Sequence, residues 1–173
     1  MLLMMAACNQ NKPNTAASTQ PASPQEEAAN DTISSEQKKE NMQKVLDYLK
    51  ECKTYFLATA DADQPRVRPF GSAEIINDRL YIMTGKVKDV FKQLDKNGKF
   101  EICALKPSGT EWIRLSGTLV NDDSMDVKEE FLRRNEGLKS MYKADDGNMA
   151  VLYITNATAR LCSFGGNEEK LGF

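Results

Sequence analysis

The chain has 173 residues, long enough for one ordinary domain. Lys and Arg number 23 against 25 Asp and Glu, for a net charge of -2, so the basic excess of a general nucleic-acid binder is missing. Histidine is absent altogether, which excludes Ser-His and Cys-His catalytic arrangements, the usual histidine metal sites and an axial histidine for haem.

The N-terminus, MLLMMAACNQ, is a short apolar run that ends in two small residues and Cys8 and passes at once into polar sequence. It resembles the end of a bacterial lipoprotein signal peptide, with Met5-Ala6-Ala7-Cys8 before the cleavage point, although a basic n-region is lacking. The resemblance implies that residues 1–8 are a targeting element, that Cys8 takes a lipid, and that the protein is anchored at the bacterial cell envelope. A chance apolar start on a cytoplasmic protein is the alternative. Residues 9–33 carry Pro13, Pro21 and Pro24 among Ala, Ser, Thr, Asn and Gln, and no aromatic or Gly. Such a composition buries too little apolar surface to offset its ordering entropy and predicts a disordered tether. The folded domain is expected over 34–173.

Ser34 followed by Gln37 matches a capping box, and Met42, Val45, Leu46 and Leu49 repeat at helical spacing, so a first helix to about Lys53 is predicted. The period then shortens. YFLATA, a turn at Asp61 to Gln64, a long extended run PRVRPFGSAEII, an Asn77-Asp78 turn and RLYIMT read as strands in hairpins. Val87, Val90, Phe91 and Leu94 signal a second helix ending near Asn97-Gly98, where Gly suits the left-handed C-terminal position. KFEICALK, a Pro107-Ser108-Gly109 turn and EWIRLSGTLV make another hairpin, Asp122 and Asp123 open a third helix through Phe131 and Leu132, and AVLYIT and TARLCSF are two last strands around Asn156. Seven short strands with helices interposed singly predict a mainly β fold, a small antiparallel split barrel flanked by a few helices. GxGxxG and the P-loop signature are both missing.

Cys52, Cys103 and Cys162 show no C-x-x-C spacing and, with Cys8, suggest neither a disulfide framework nor zinc. Buried free thiols are expected, with Cys103 a small core filler. Asp145-Asp146-Gly147-Asn148 lacks the remaining ligands of a calcium loop and reads as a turn, and no metal site is expected.

Three features converge on an anion site. In QPRVRPFG, Arg66 and Arg68 share one strand face while Val67 takes the other, and guanidinium forks bind phosphate bidentately. RLYIMT runs into Thr84, Gly85, Lys86 and Lys88 at a helix start, where backbone N–H groups and the helix dipole favour an anion. EWIRLSG places Trp112, the sole tryptophan, on the same strand face as Arg114. A solvated strand face is the plain alternative for the arginines, and an interface or core position for Trp112.

The order P-x-x-R-P-F, Y-I-M-T with K-x-K at a helix start, N-G-K-F-E and W-I-R-L-S-G resembles the pyridoxamine 5'-phosphate oxidase-like group, the FMN-binding split barrels. The resemblance spans about Leu46 to Gly166 and implies an FMN cofactor bound across the interface of a homodimer. It places Arg68, Pro69 and Phe70 along the flavin with Arg68 toward the phosphate, Met83 and Thr84 at the ring or ribityl chain, Lys88 at the phosphate, and Trp112 facing the flavin, usually that of the partner subunit. Arg66 and Lys86 join the site from geometry alone. The terminal strands carry none of the Trp and Arg or His features by which pyridoxamine phosphate oxidases hold their substrate, and the histidine on which nitroimidazole-resistance relatives depend is absent. The expected activity is therefore electron transfer from a reduced small-molecule donor to a small acceptor, with catalytic residues unknown; a tethered protein that binds flavin or another small anion without turnover is the alternative.

Overall fold

The computed structural model describes residues 33–173; the lipobox with Cys8 and the tether up to residue 32 lie outside the described residues. Helix α1 spans Ser35–Cys52, and the Ser34 hydroxyl at its start accepts the Gln37 N–H at 3.1 Å. The Gln37 side chain does not return the bond to Ser34 and donates instead to Asn41 Oδ1, so half of the capping box forms. At the other end Lys53 takes a left-handed φ of 62° and its N–H closes onto the Leu49 and Lys50 carbonyls.

Strands β1 (Tyr55–Asp61), β2 (Gln64–Phe70), β3 (Ala73–Ile76) and β4 (Arg79–Gly85) follow, then α2 (Asp89–Lys96), β5 (Lys99–Leu105), β6 (Glu111–Asp122), α3 (Met125–Arg134), a 3-10 turn at Glu136–Ser140, β7 (Met149–Ser163) and β8 (Glu168–Gly172). All pairings are antiparallel, in the order β2-β1-β5-β6-β7-β4-β3. Strand β7 has β6 along one side; its other side is shared by β4 over the first half and β8 over the second. Strands β2 and β3 end the order without pairing to each other, so the expected split barrel is what the chain forms.

The strands number eight among the described residues, not seven. The run PRVRPFGSAEII breaks at 71–72 because β3 leaves β2 to pair with β4, and Gly71 passes the end of α1, where a Cβ would lie 3.3 Å from the Lys53 carbonyl oxygen. AVLYIT and TARLCSF are one strand, bulged where Asn156 takes a φ of 52°. Opposite it stands Gly117, at a register shift in β6, where a Cβ would lie 2.8 Å from the Thr155 oxygen. Gly98 is not left-handed: its smallness serves close approach, since a Cβ there would fall 2.7 Å from the Leu119 oxygen.

Inward residues of the strands, among them Leu57, Leu80, Ile82, Ile102, Ile113 and Leu115, close on Val45, Leu46 and Leu49 of α1. A second core under α3 joins Tyr81, Met83 and Val151 to Val127, Phe131 and Leu132. The three described cysteines are free, as expected, but Cys103 is exposed and is no core filler. Phe100, Ile102 and Ala104 take the inner face of β5, and among the described residues the outer one is left largely exposed at Lys99, Cys103 and Leu105. Cys52 and Cys162 are half-buried rather than buried.

Candidate functional site

The β1–β2 register sets Arg66 beside Thr59, Arg68 beside Leu57 and Phe70 beside Tyr55, so the two arginines do share a face, the inner one, and Val67 points out, exposed. Their partners differ. Arg66 is exposed and lies 3.5 Å from Asp61 at the strand end. Arg68 is half-buried: its Nη1 donates to Thr59 Oγ1 at 2.6 Å, to the Leu57 oxygen at 3.3 Å and to the Arg66 oxygen at 3.2 Å, and its Nη2 donates to Gln93 Oε1 of α2 at 2.7 Å. Every acceptor is neutral, and among the described residues no carboxylate pairs with this guanidinium. Burial, and then the positive charge of Arg66, push its pKa down. A cation held in this way leaves its charge for an anion from outside the chain.

The loop between β4 and α2 brings the second group. Thr84 is buried, faces the main core side of β4 together with Ile82, and its Oγ1 has no hydrogen-bond partner. Met83 points the opposite way, into the second core. Lys88 is the residue before the first turn of α2, exposed, with its Nζ 5.8 Å from the centre of the Tyr142 ring and no carboxylate partner among the described residues. Gln93 lies five positions after Lys88, about 7.5 Å along the axis, so the Arg68 contact and the start of α2 belong to one small element. Lys86 is engaged already, with Nζ 2.7 Å from Asp123 Oδ1.

The remaining expected residues lie apart within one chain. Phe70 stacks on Tyr55 at 5.9 Å between ring centres against the main core, while Pro69 is exposed on the outer face. Trp112 sits on that same outer face, beside Leu105 and Cys162 in the register, with its ring 5.1 Å from Phe164. None of the nine residues lines either of two clefts among the described residues. One, of about 470 Å³, lies between α1 and the β7–β8 end; the other, of about 390 Å³, runs from Ala60–Ala62 to Gln93 and Lys96 of α2.

Three residues escaped the sequence reading. Gln93 and Thr59 hold Arg68, and the one local signal was a Gln within the buried helical stripe Val90, Gln93, Leu94. Asn148, read only as part of a turn, accepts the Lys86 N–H with its backbone oxygen at 2.6 Å and the Val87 N–H with Oδ1 at 3.1 Å, strapping the loop before α2.

The family model for pyridoxamine 5'-phosphate oxidase matches residues 42–163, most of the described chain. The chain belongs to this family. Among solved structures it is similar to a NimC/NimA family protein from Clostridium acetobutylicum, with 43% identity over 80% of this chain and 96% of that one and a TM-score of 0.77. It shares the fold of General Stress Protein 26 from Bacillus anthracis, at 17% identity over 77% of this chain and 98% of that one and a TM-score of 0.60. It also shares the fold of the general stress FMN/FAD binding protein from Xanthomonas citri, at 21% identity over 70% and 88% of the two chains and a TM-score of 0.53. No curated protein matches the chain.

Proposed function

We propose that this member of the pyridoxamine 5'-phosphate oxidase family binds FMN non-covalently and passes electrons from a reduced donor, such as a nicotinamide cofactor, to a small acceptor. The observation that carries the reading is the charge of Arg68, half-buried and met only by neutral acceptors. Lys88 and the first N–H groups of α2 add a second positive locus, and the unpartnered Thr84 hydroxyl is a polar group awaiting a polar ligand. A ligand with both a phosphate and hydroxyls fits this set. The flavin, when bound, supplies the hydride and electron chemistry; the protein's share is to anchor the phosphate, orient the ring and keep water from it. Pro69 and Trp112 face outward, away from Arg68, which supports a site completed by a second copy contributing its own Trp112.

One observation favours a second reading. Arg68, Thr84 and Lys88 are suited to holding a ligand, and the chain has no histidine to act as a general acid or base, so a flavin or small-anion carrier without turnover, tethered at the envelope through Cys8, suits the same residues.

The deciding experiment is an absorption spectrum of the full chain purified from flavin-supplemented cells, followed by FMN titration of the wild type and Arg68→Ala. Flavin bands that weaken by about a hundredfold in affinity in the variant support the reading. Wild-type protein that takes up no flavin sinks it. Steady oxidation of a nicotinamide donor with an added quinone or nitroarene then separates the enzyme from the carrier.

A further inference from the structure

Gln93 is a buried polar residue on the apolar face of α2, between Val90 and Leu94, and its amide oxygen is shared by two donors. Thr59 Oγ1 lies 2.7 Å from Gln93 Oε1 and Arg68 Nη2 lies 2.7 Å from the same atom. Arginine has no acceptor, so the amide presents its oxygen, not its nitrogen, to the guanidinium. Thr59, itself buried, stands 2.6 Å from Arg68 Nη1 on the other side, closing a three-residue ring of contacts. The fork is held by two neutral side chains and two backbone oxygens.

A half-buried guanidinium ordinarily sits against a carboxylate, because burying an uncompensated charge is costly. Glutamate has the shape of glutamine and would make the same two contacts from the same place on α2. The chain has the amide instead. On its own hairpin Arg66 repels Arg68, and Asp61 lies against Arg66. Positioning is therefore achieved without neutralisation, a combination that serves an anionic ligand and is a cost without one.

We propose that Gln93 determines the specificity of the site: it aims Arg68 while leaving the guanidinium's positive charge to a phosphate, so that the phosphorylated flavin is taken in preference to the neutral one. This rests on the reading of Arg68 as the phosphate anchor.

The test compares FMN and riboflavin binding to the full chain as wild type, Gln93→Glu and Gln93→Met, with melting temperatures of the unliganded proteins. Gln93→Glu supplies the internal counter-charge. It is expected to melt no lower than the wild type, to bind FMN at least about tenfold more weakly, and to bind riboflavin as before. Gln93→Met removes the aim without adding charge, and is expected to lose part of the preference for FMN but less of it than Gln93→Glu. A Gln93→Glu protein that retains that preference overturns the proposal, and so does a Gln93→Met protein that loses it as fully as Gln93→Glu. Should Gln93→Glu fail to fold, Thr59→Asp places a carboxylate at the other contact of the fork, and the same loss of preference is expected. A wild type that binds neither flavin refutes the functional reading instead, and the charge argument is then tested with inorganic phosphate at constant ionic strength. Phosphate that raises the melting temperature of the wild type but not of Gln93→Glu supports it; phosphate that raises both equally, or neither, overturns it.

Discussion

Arg68 and Lys86 carry the same charge, and their neighbours treat them in opposite ways. Arg68 has only neutral acceptors, whereas Lys86 is tied to Asp123, which also takes Lys128 at 3.1 Å. The Lys86 hydrogen bond, and then Lys128, hold the Asp123 carboxyl at about 2 in spite of its partial burial. Because this folded value lies below the unfolded one, the pair's stability is fully present above about pH 4 and is lost as the pH falls toward 2. Asp123→Asn is therefore expected to lower the stability at neutral pH by less than about 1 kcal/mol, since the group is more than half exposed. The gap to the wild type should close between pH 4 and 2 in urea titrations; a gap that is constant across that range would show that the ion pair is not its source. Lys86 thus acts as a strut for the loop, and Lys86→Ala should weaken FMN less than Arg68→Ala does, in a titration of both at one salt concentration. Of these distinctions the sequence carried the residue types and their shared strand face, because period two is a local property. Which arginine or lysine is already neutralised was not legible, because Asp123 and Gln93 reach their partners across elements.

The loop between β4 and α2 is set by an element distant in sequence. Asp146 accepts the N–H groups of Lys143, Asn148 and Met149, fixing the turn before β7, and Asn148 then holds the N–H groups of Lys86 and Val87. Gly85 fits beneath it, since a Cβ there would lie 3.1 Å from Asn148 Oδ1. Asn148→Ala removes the side-chain bond to Val87, worth about 1 kcal/mol. Amide exchange at Val87 should accelerate in the variant while exchange in the β5–β6 hairpin does not change; protection that is the same at Val87 would show that the strap is not needed. At the other side of the barrel the bulge ties β6 to β7. Gly117→Ala forces a Cβ against the Thr155 oxygen and is expected to cost about 1–3 kcal/mol in denaturant unfolding, with a wild-type midpoint refuting the close approach. The helices were legible from their periodicity and most strands from alternation, but β7 was read as two strands because an Asn within it resembles a turn. Strand β8 left no signal, since Leu171 is its one buried residue and Glu168 to Lys170 are all exposed.

For the whole molecule the outer face of the sheet is what the single chain leaves unexplained. Its register aligns Pro69, Phe56, Cys103 and Arg114 across β2, β1, β5 and β6, with Leu105, Trp112 and Cys162 in the adjoining row. Phe56, Val67, Leu105 and Phe164 are all more than half exposed, and the Arg114–Glu101 pair at 2.6 Å crosses the same surface. Aromatic and aliphatic side chains around an arginine, on a broad strand surface, have the composition of a subunit interface rather than of a solvated face. A second copy seated there would cover Cys103, explaining a thiol that β5 presents outward, and would supply Trp112 from the side of the sheet opposite to Arg68. In the homodimer that we propose, the two faces would act on one ligand. Phe56→Glu places a charge at the middle of the aligned row while leaving Arg68, Thr59 and Gln93 untouched. Sedimentation of the full chain should show a dimer for the wild type and a monomer for the variant. FMN affinity should fall with the dimer and recover as the variant is concentrated, because the site then reassembles. A variant that is monomeric yet binds FMN like the wild type would place the whole site within one chain, and would return Trp112 to the role of a surface aromatic packed on Phe164.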